Sequence, residues 1–405
     1  MRCLFYLSAL LLLTVPGAGA QHAHDLAERR IIEFPDVPGY HTLTCDLHTH
    51  TAFSDGSVWP DIRVQEAIRD GLDCLAITDH IEYQPHIEDI PHPDRNRSYD
   101  LAAQVAERMV EDAQEQAETE EADGEEAENE PLLVLRGAEI TRSMPPGHLN
   151  AVLLEDVNPV MVDDATEAIR EANRQGAFVF WNHPSWPAQK PDAITELTDM
   201  HRQLLDEGLF HGIEVVNEFW YSDNALQIAL DHNLAILGTS DIHGLVDWEY
   251  DVPGGGHRPV TLVFAADRSL EGIGEALRMR RTAVWYKDIL IGRPEHVQPL
   301  IEASLSVKTA EYEEGTSLLH VAIKNISDAP FTLRSRSEYT FAAATDLIVV
   351  KPHAVTWLHV KTGERGFRYE LVFEVLNVVT APSTHPEWTL TIEVEEMRES
   401  EGEEE

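Results

Sequence analysis

The stretch "TCDLHTHTAFSDG", Thr44 to Gly56, sets two histidines and two aspartates directly behind a short apolar run. Side chains alternate along an extended chain, so His48 and His50 face one side and can chelate a single ion. A run of this kind ends a buried strand and opens a polar loop. The fold follows from whether other strands end in the same way.

Six further apolar runs punctuate residues 43–290 after "LTCDL" (43–47): "CLAIT" (74–78), "LLVLRGAEI" (132–140), "LNAVLL" (149–154), "AFVFW" (177–181), "GIEVV" (212–216) and "LAILG" (234–238). Their length and unbroken hydrophobicity suit strands buried on both faces. Helical patterns lie between them, such as "DIRVQEAIRDGL" with Ile62, Ala67, Ile68 and Leu72 on one side, and "DATEAIREANRQG" closed by Gly176. The alternation predicts a parallel sheet, and seven units allow a closed β/α barrel.

The polar residues at the strand ends then form a pattern. His48, His50 and Asp55 follow the first strand, and Asp79 and His80 the second. Glu139 ends the third, His148 opens the fourth, His183 follows the fifth, and Asp241 and His243 follow the seventh. The C-terminal strand ends of a β/α barrel converge on one mouth, so these residues meet in space. Their N and O donors suit Zn, Mn or Fe. A lone histidine is usually a hydrogen-bonded structural residue; the joint placement at strand ends is what argues for a metal centre.

"DLHTHTAFSDG", "AITDH", "GAEI…GH", "NHP" and "SDIH" resemble the successive motifs of the PHP (polymerase and histidinol phosphatase) family over about 240 residues. The resemblance implies a distorted seven-stranded TIM-like barrel with two or three divalent metal ions, commonly a phosphoesterase. It implies that His48, His50, Glu139 and Asp241 hold one metal, and that Glu139 bridges to a second held by His148 and His183. Asp55, His80 and His243 would hold a third, with Asp241 or solvent bridging. Asp46 and Asp79 read as hydrogen-bond partners that support the ligands.

Composition bounds the partners. The chain of 405 residues carries 30 basic and 72 acidic residues, a formal charge of −42, and its first lysine is Lys190. Such a field repels polyanions, which argues against duplex nucleic acid or an anionic membrane as a partner. The acidity is read either as a surface suited to high salt or as local solvated segments. Residues 111–130 contribute eleven acids and no base, and read as a helical extension followed by a loop.

The N-terminus has the form of a secretory signal: Arg2, an apolar run "CLFYLSALLLLTV", and the small-residue site "AGA" at Ala18–Ala20. An uncleaved anchor is the alternative; export to the periplasm or exterior with a mature start near Gln21 is the expectation. Cleavage leaves Cys45 and Cys74, read as two thiols on neighbouring strands, with a bridge between them left open. After residue 295 the texture becomes β-rich, with turn clusters "NISDAP", "KPH" and "TAPSTHPE", which predicts an antiparallel sandwich of roughly seven strands. The expected division is a signal at 1–20, a barrel at 21–295 with the acidic insertion 111–130, an all-β sandwich at 300–395 and an acidic, disordered tail at 396–405.

The expected chemistry is hydrolysis of a phosphoester by metal-activated water, as phosphatase or phosphodiesterase on a small molecule such as a nucleotide or sugar phosphate. Free phosphoryl oxygens call for a guanidinium, and Arg142 and Arg258 are the candidates. His257, in a Gly-rich loop, is the candidate leaving-group acid. The alternative is an exported binding protein whose sandwich recognises a glycan or protein while the barrel is accessory. A polymerase-associated exonuclease is opposed by length, signal and acidity.

Overall fold

In the structure, a computed structural model, residues 31–119 and 131–394 are described. The signal segment, the second half of the acidic insertion and the C-terminal tail lie outside them. Among the described residues no helix is long and apolar enough to cross a membrane.

The chain runs through β1 (His41–Asp46), α1 (Pro60–Asp70), β2 (Cys74–Ile77), α2 (Arg97–Thr119), β3 (Leu133–Ile140), β4 (Leu149–Val152), α3 (Ala165–Arg174) and β5 (Phe178–Trp181). It continues with α4 (Asp199–Asp206), β6 (Gly212–Asn217), β7 (Trp220–Tyr221), α5 (Asp223–Asp231), β8 (Ala235–Thr239) and α6 (Val246–Glu249). Then come β9 (Val260–Ala265), α7 (Leu270–Arg278), β10 (Thr282–Tyr286), β11 (Ile289–Gly292) and α8 (Pro294–Ser304). The seven strands expected from the apolar runs are β1–β6 and β8.

These strands form one curled sheet in the order β7-β6-β5-β4-β3-β2-β1-β9-β10-β11, with β8 beside β6. It is not the all-parallel sheet expected. β4 runs antiparallel to both β3 and β5, and β9 runs antiparallel to β1 and β10. The physical reason is visible between β3 and β4: the eight residues "TRSMPPGH" are too short for a parallel crossover. The antiparallel turn places the start of β4, with His148, beside the end of β3, with Glu139.

The curl brings β8 against β9 and β10 through side chains. The Gly238 N–H donates to Thr261 Oγ1 at 3.0 Å, and the Thr261 hydroxyl donates to the Gly238 carbonyl at 2.9 Å. A Cβ on Gly238 would stand 2.2 Å from Val284 Cγ1, so only glycine permits this approach. Outside the sheet, α1 begins with Pro60 and ends at Gly71, whose left-handed φ of 72° lets its N–H reach the carbonyls of Ala67 and Ile68. Asp164 caps α3 by accepting from the Glu167 N–H.

The C-terminal region is a sandwich of two four-stranded sheets. Its strands are β12 (Leu305–Tyr312), β13 (Leu318–Asn325), β14 (Phe331–Ser335), β15 (Thr340–Phe341), β16 (Leu347–Val350), β17 (Val355–Lys361), β18 (Arg368–Val375), β19 (Val378–Val379) and β20 (Glu387–Glu393). The sheets run β12-β13-β17-β15 and β16-β14-β18-β20, all antiparallel. Strict alternation in β20 puts Trp388, Leu390 and Ile392 inside. The run "RYELVFEVLNV" splits: β19 leaves the sandwich and pairs in parallel with β11. The apolar core continues across this junction, from Leu262 and Trp285 through Val297 and Ile301 of α8 to Leu319 and Phe373.

Cys45 and Cys74 are opposite one another on β1 and β2, both buried and both free thiols. Burial pushes the Cys45 thiol well above its ordinary range, with Cys74 adding to the effect.

Candidate metal centre

The end of β1 and the end of β8 are fastened to each other before they reach the centre. The His50 N–H donates to the Ile242 carbonyl at 3.1 Å, and the Asp241 N–H to the His48 carbonyl at 2.9 Å. Two pairs at alternating positions, His48/His50 and Asp241/His243, are thereby held side by side. Asp46 supports this zipper by accepting from the Ser240 N–H (3.1 Å) and hydroxyl (2.6 Å). Asp79 does the same for the loop after His50, accepting from the Thr51 N–H (2.7 Å), the Thr51 hydroxyl (2.8 Å) and the Ser54 hydroxyl (2.6 Å). Both aspartates are supports, as expected. Gly56 closes the turn that returns Asp55, where a Cβ would lie 2.8 Å from the His50 carbonyl carbon.

Four side-chain atoms converge at the centre. His48 Nε2 and His50 Nε2 are 3.0 Å apart. Glu139 Oε2 is 3.3 and 3.2 Å from them, and Asp241 Oδ1 3.1 and 3.0 Å. Around Glu139 gather His148 Nδ1 at 2.7 Å, His80 Nδ1 at 3.0 Å and His183 Nε2 at 3.4 Å. Asp55 Oδ1 takes His243 Nε2 at 3.2 Å and His80 Nε2 at 3.5 Å, with His50 Nδ1 at 3.8 Å. All nine residues put forward as ligands therefore share one site. They are less partitioned than three separate ligand sets: His50 groups with Asp55, His80 and His243 as well as with His48 and Glu139, and His80 groups with Glu139 and His148.

These residues fit resident cations. Asp55 Oδ1, Glu139 Oε1, Asp241 Oδ1, His148 Nδ1 and His183 Nδ1 are buried without a hydrogen bond, the 2.7 Å approach of His148 to Glu139 included. Buried acceptors left this way cost free energy unless something else binds them. The electrostatics agree. Burial alone would raise the Glu139 carboxyl, yet His80 and His48 hold it well below the usual carboxylate range. Burial likewise opposes the charged forms of Asp55 and Asp241, and the surrounding imidazoles hold both low. His243 goes the other way: burial lowers it, but Asp55 and Asp241 raise it to about 9. The site is built to balance negative charge with positive charge. Two of the nine residues also sit in the left-handed region, His183 at φ 29° and Asp241 at φ 50°, where side chains are strained unless the surroundings hold them.

Sequence reasoning missed Glu214. Its Oε1 lies 2.8 Å from His48 Nδ1 and accepts from the Thr239 hydroxyl at 2.6 Å; its Oε2 accepts from the His183 N–H at 2.6 Å and from Asn217 Nδ2 at 2.9 Å. It orients His48 so that Nε2 faces the centre. An acid inside the apolar run "GIEVV" was the available signal.

Three other expectations are corrected. Arg258 is fully buried, paired with Asp46 at 3.2 Å and Asp70 at 2.7 Å, and its charge is spent inside the fold rather than on a substrate. Arg142 forms an ion pair with Glu82 and donates to the Val162 carbonyl at 2.7 Å, and it does not line the cavity beside the centre. His257 stacks on Trp285 at 3.5 Å and borders a different cavity, with ring nitrogens at the Arg258 and Lys287 carbonyls, so it is not placed to protonate a leaving group.

The cavity beside the centre has a volume of about 610 Å³. One wall is the ligand cluster, including Glu139, His183 and His243; the other carries Trp186, Trp220, Tyr221 and Glu218.

A family model described as a PHP domain matches residues 46–149, and one described as an Ig-like domain matches residues 305–391. A two-domain protein from Bacteroides vulgatus ATCC 8482, described as containing a predicted PHP-like metal-dependent phosphoesterase, is 40% identical. The alignment covers 90% of this chain and 99% of that one, with a TM-score of 0.78. The chain belongs to the PHP family. A candidate metal-dependent phosphoesterase from Bifidobacterium adolescentis ATCC 15703 is 18% identical, over 50% of this chain and 88% of that one, with a TM-score of 0.36. An amidohydrolase from Chromobacterium violaceum is 15% identical, over 53% and 89%, with a TM-score of 0.34. No curated protein matches. The PHP domain and Ig-like sandwich thus stand in the order expected from the sequence.

Proposed function

We propose that this PHP protein hydrolyses phosphoesters of small molecules with two or three divalent ions of the Zn, Mn or Fe type. The observation that carries the reading is the convergence of His48, His50, Glu139 and Asp241 on one point, with buried acceptors unbonded at the edge of a 610 Å³ cavity. Divalent ions held there would polarise phosphoryl oxygens and acidify a water.

The chain's own groups do the rest. Glu214 fixes His48, Asp46 and Asp79 fix the two ligand loops, and the strained backbone at His183 and Asp241 sets their side chains in advance. A serine nucleophile is not supported: Ser185 and Ser222, at the cavity, hydrogen-bond to one another at 2.9 Å, and Ser222 also caps α5. The reading in which the sandwich is the functional part draws no support from the PHP centre, whose ligand set is whole.

Metal analysis of the purified protein, with a panel of monoesters and diesters before and after chelation, tests the proposal. It requires bound divalent metal and hydrolysis that chelator removes and metal restores. Protein that binds no metal, or hydrolyses no ester of either class when loaded, overturns it.

A further inference from the structure

The outer wall of the cavity has a chemistry of its own. Trp220 is 68% exposed and Trp186 44%, two large aromatic faces left bare at the entrance. Among the described residues no arginine or lysine lines the cavity, although two carboxylates of the outer wall, Glu218 and Asp223, do. Glu218 is half-buried, and among the described residues its carboxylate has neither a hydrogen bond nor an ion pair. Burial raises its pKa, with Asp241 and Glu249 adding to the effect and His243 and His183 opposing it.

The wall is rigid. Glu218 and Phe219 form the corner between β6 and β7, with Asn217 paired to Trp220 and Val216 to Tyr221. Glu218 holds a φ of 50°, and the Phe219 carbonyl is gripped by the Tyr286 hydroxyl. Asp223 accepts from the Tyr221 hydroxyl at 2.7 Å.

We infer that this wall is a subsite for a quaternary ammonium head carried on the leaving group of the phosphoester. An uncharged aromatic group would use the tryptophans and leave Glu218 unpaired. A second anion on this wall would meet two carboxylates and neither arginine nor lysine among the described residues. A cation uses both features, the π faces through their quadrupole and the carboxylates through their charge. The inference rests on the hydrolase reading for the reacting group, but the subsite is testable without turnover.

The test has two arms on the metal-loaded protein. In calorimetry, choline chloride is titrated against its uncharged carbon isostere, the alcohol with nitrogen replaced by carbon. Choline binds saturably and about tenfold more tightly than the isostere, and Glu218→Gln, Asp223→Asn and Trp220→Ala each reduce that ratio. In kinetics, choline phosphate exceeds the phosphate of the isostere in kcat/KM by a similar factor, and a substrate bearing a second phosphate is the poorest. Equal affinity for choline and its isostere, or preference for the doubly phosphorylated substrate, overturns the subsite. Hydrolysis with a ratio near one sinks the subsite and leaves the hydrolase; selective choline binding without hydrolysis of any ester does the reverse.

Discussion

Arg63 and Arg258 lie beneath the ligand loops among Glu66, Asp46 and Asp70, and every guanidinium nitrogen of the two has an acceptor. His48, His50, Glu139 and Asp241, at the heart of the candidate metal centre above them, are buried too, yet the centre leaves carboxylate and imidazole atoms without hydrogen bonds. The two clusters touch: Arg63 donates to the His50 carbonyl at 2.8 Å and to the Ile242 carbonyl at 3.2 Å, and Asp46 serves both Arg258 and Ser240. The lower cluster closes on itself and holds shape. The upper one keeps bonding capacity that an ion from outside would fill. Burial and charge do not separate a structural cluster from a functional one; unspent bonding capacity does.

The sharpest way to break this contrast is Asp241→Ala, which removes a ligand and touches nothing in the lower cluster. Chelator-sensitive hydrolysis falls to background, and the rise in Tm that metal gives the wild type disappears. Arg258→Met strikes the lower cluster instead. It strands Asp46 and Asp70 without their cation and costs about 3–5 kcal/mol in urea unfolding, in metal-free and metal-loaded protein alike. Equal losses for both variants in the metal-free protein would erase the distinction.

His201 offers a third kind of buried polar group, one held neutral. It stacks on Trp181 at 4.0 Å, faces the Pro146 carbonyl at 2.6 Å, and burial depresses its pKa to about 4. The unfolded chain therefore takes up a proton near pH 6.5 that the folded chain refuses until about pH 4. The stability it preserves is present above pH 6.5 and is lost on acidification through that window, reaching about 3 kcal/mol. His201→Phe flattens that part of the pH slope in unfolding midpoints measured from pH 7 down to pH 4. An unchanged slope refutes the assignment. The smallest effect is expected at Glu214→Gln, which leaves all nine ligands in place but weakens the hold on His48: metal affinity drops about 10–100-fold by chelator competition.

Much of this is legible in the sequence. The seven apolar runs are all strands, because a strand buried on both faces must be apolar along its length. The nine residues proposed as ligands follow or border strand ends because that is where neighbouring strands of a curled sheet deliver side chains to one place. The antiparallel course of β4 was also present in the eight-residue link before it, although the alternation of strands and helices concealed it. The detachment of β19 from the sandwich to pair with β11 carries no local signal, since the strand propensity of "VLNV" is satisfied by either sheet.

What the amino-acid sequence determines by itself is the set of donors and their order, since residue chemistry and strand period are local properties. What only the tertiary structure decides is which charged residues are already spent. Arg258 and Glu214 look alike in sequence, each a charge in or beside an apolar run. One is balanced within the fold, and the other orients a ligand at the centre. Whether a charge is balanced depends on partners far away in sequence, such as Asp70 for Arg258 and His48 for Glu214, and folding alone brings them together.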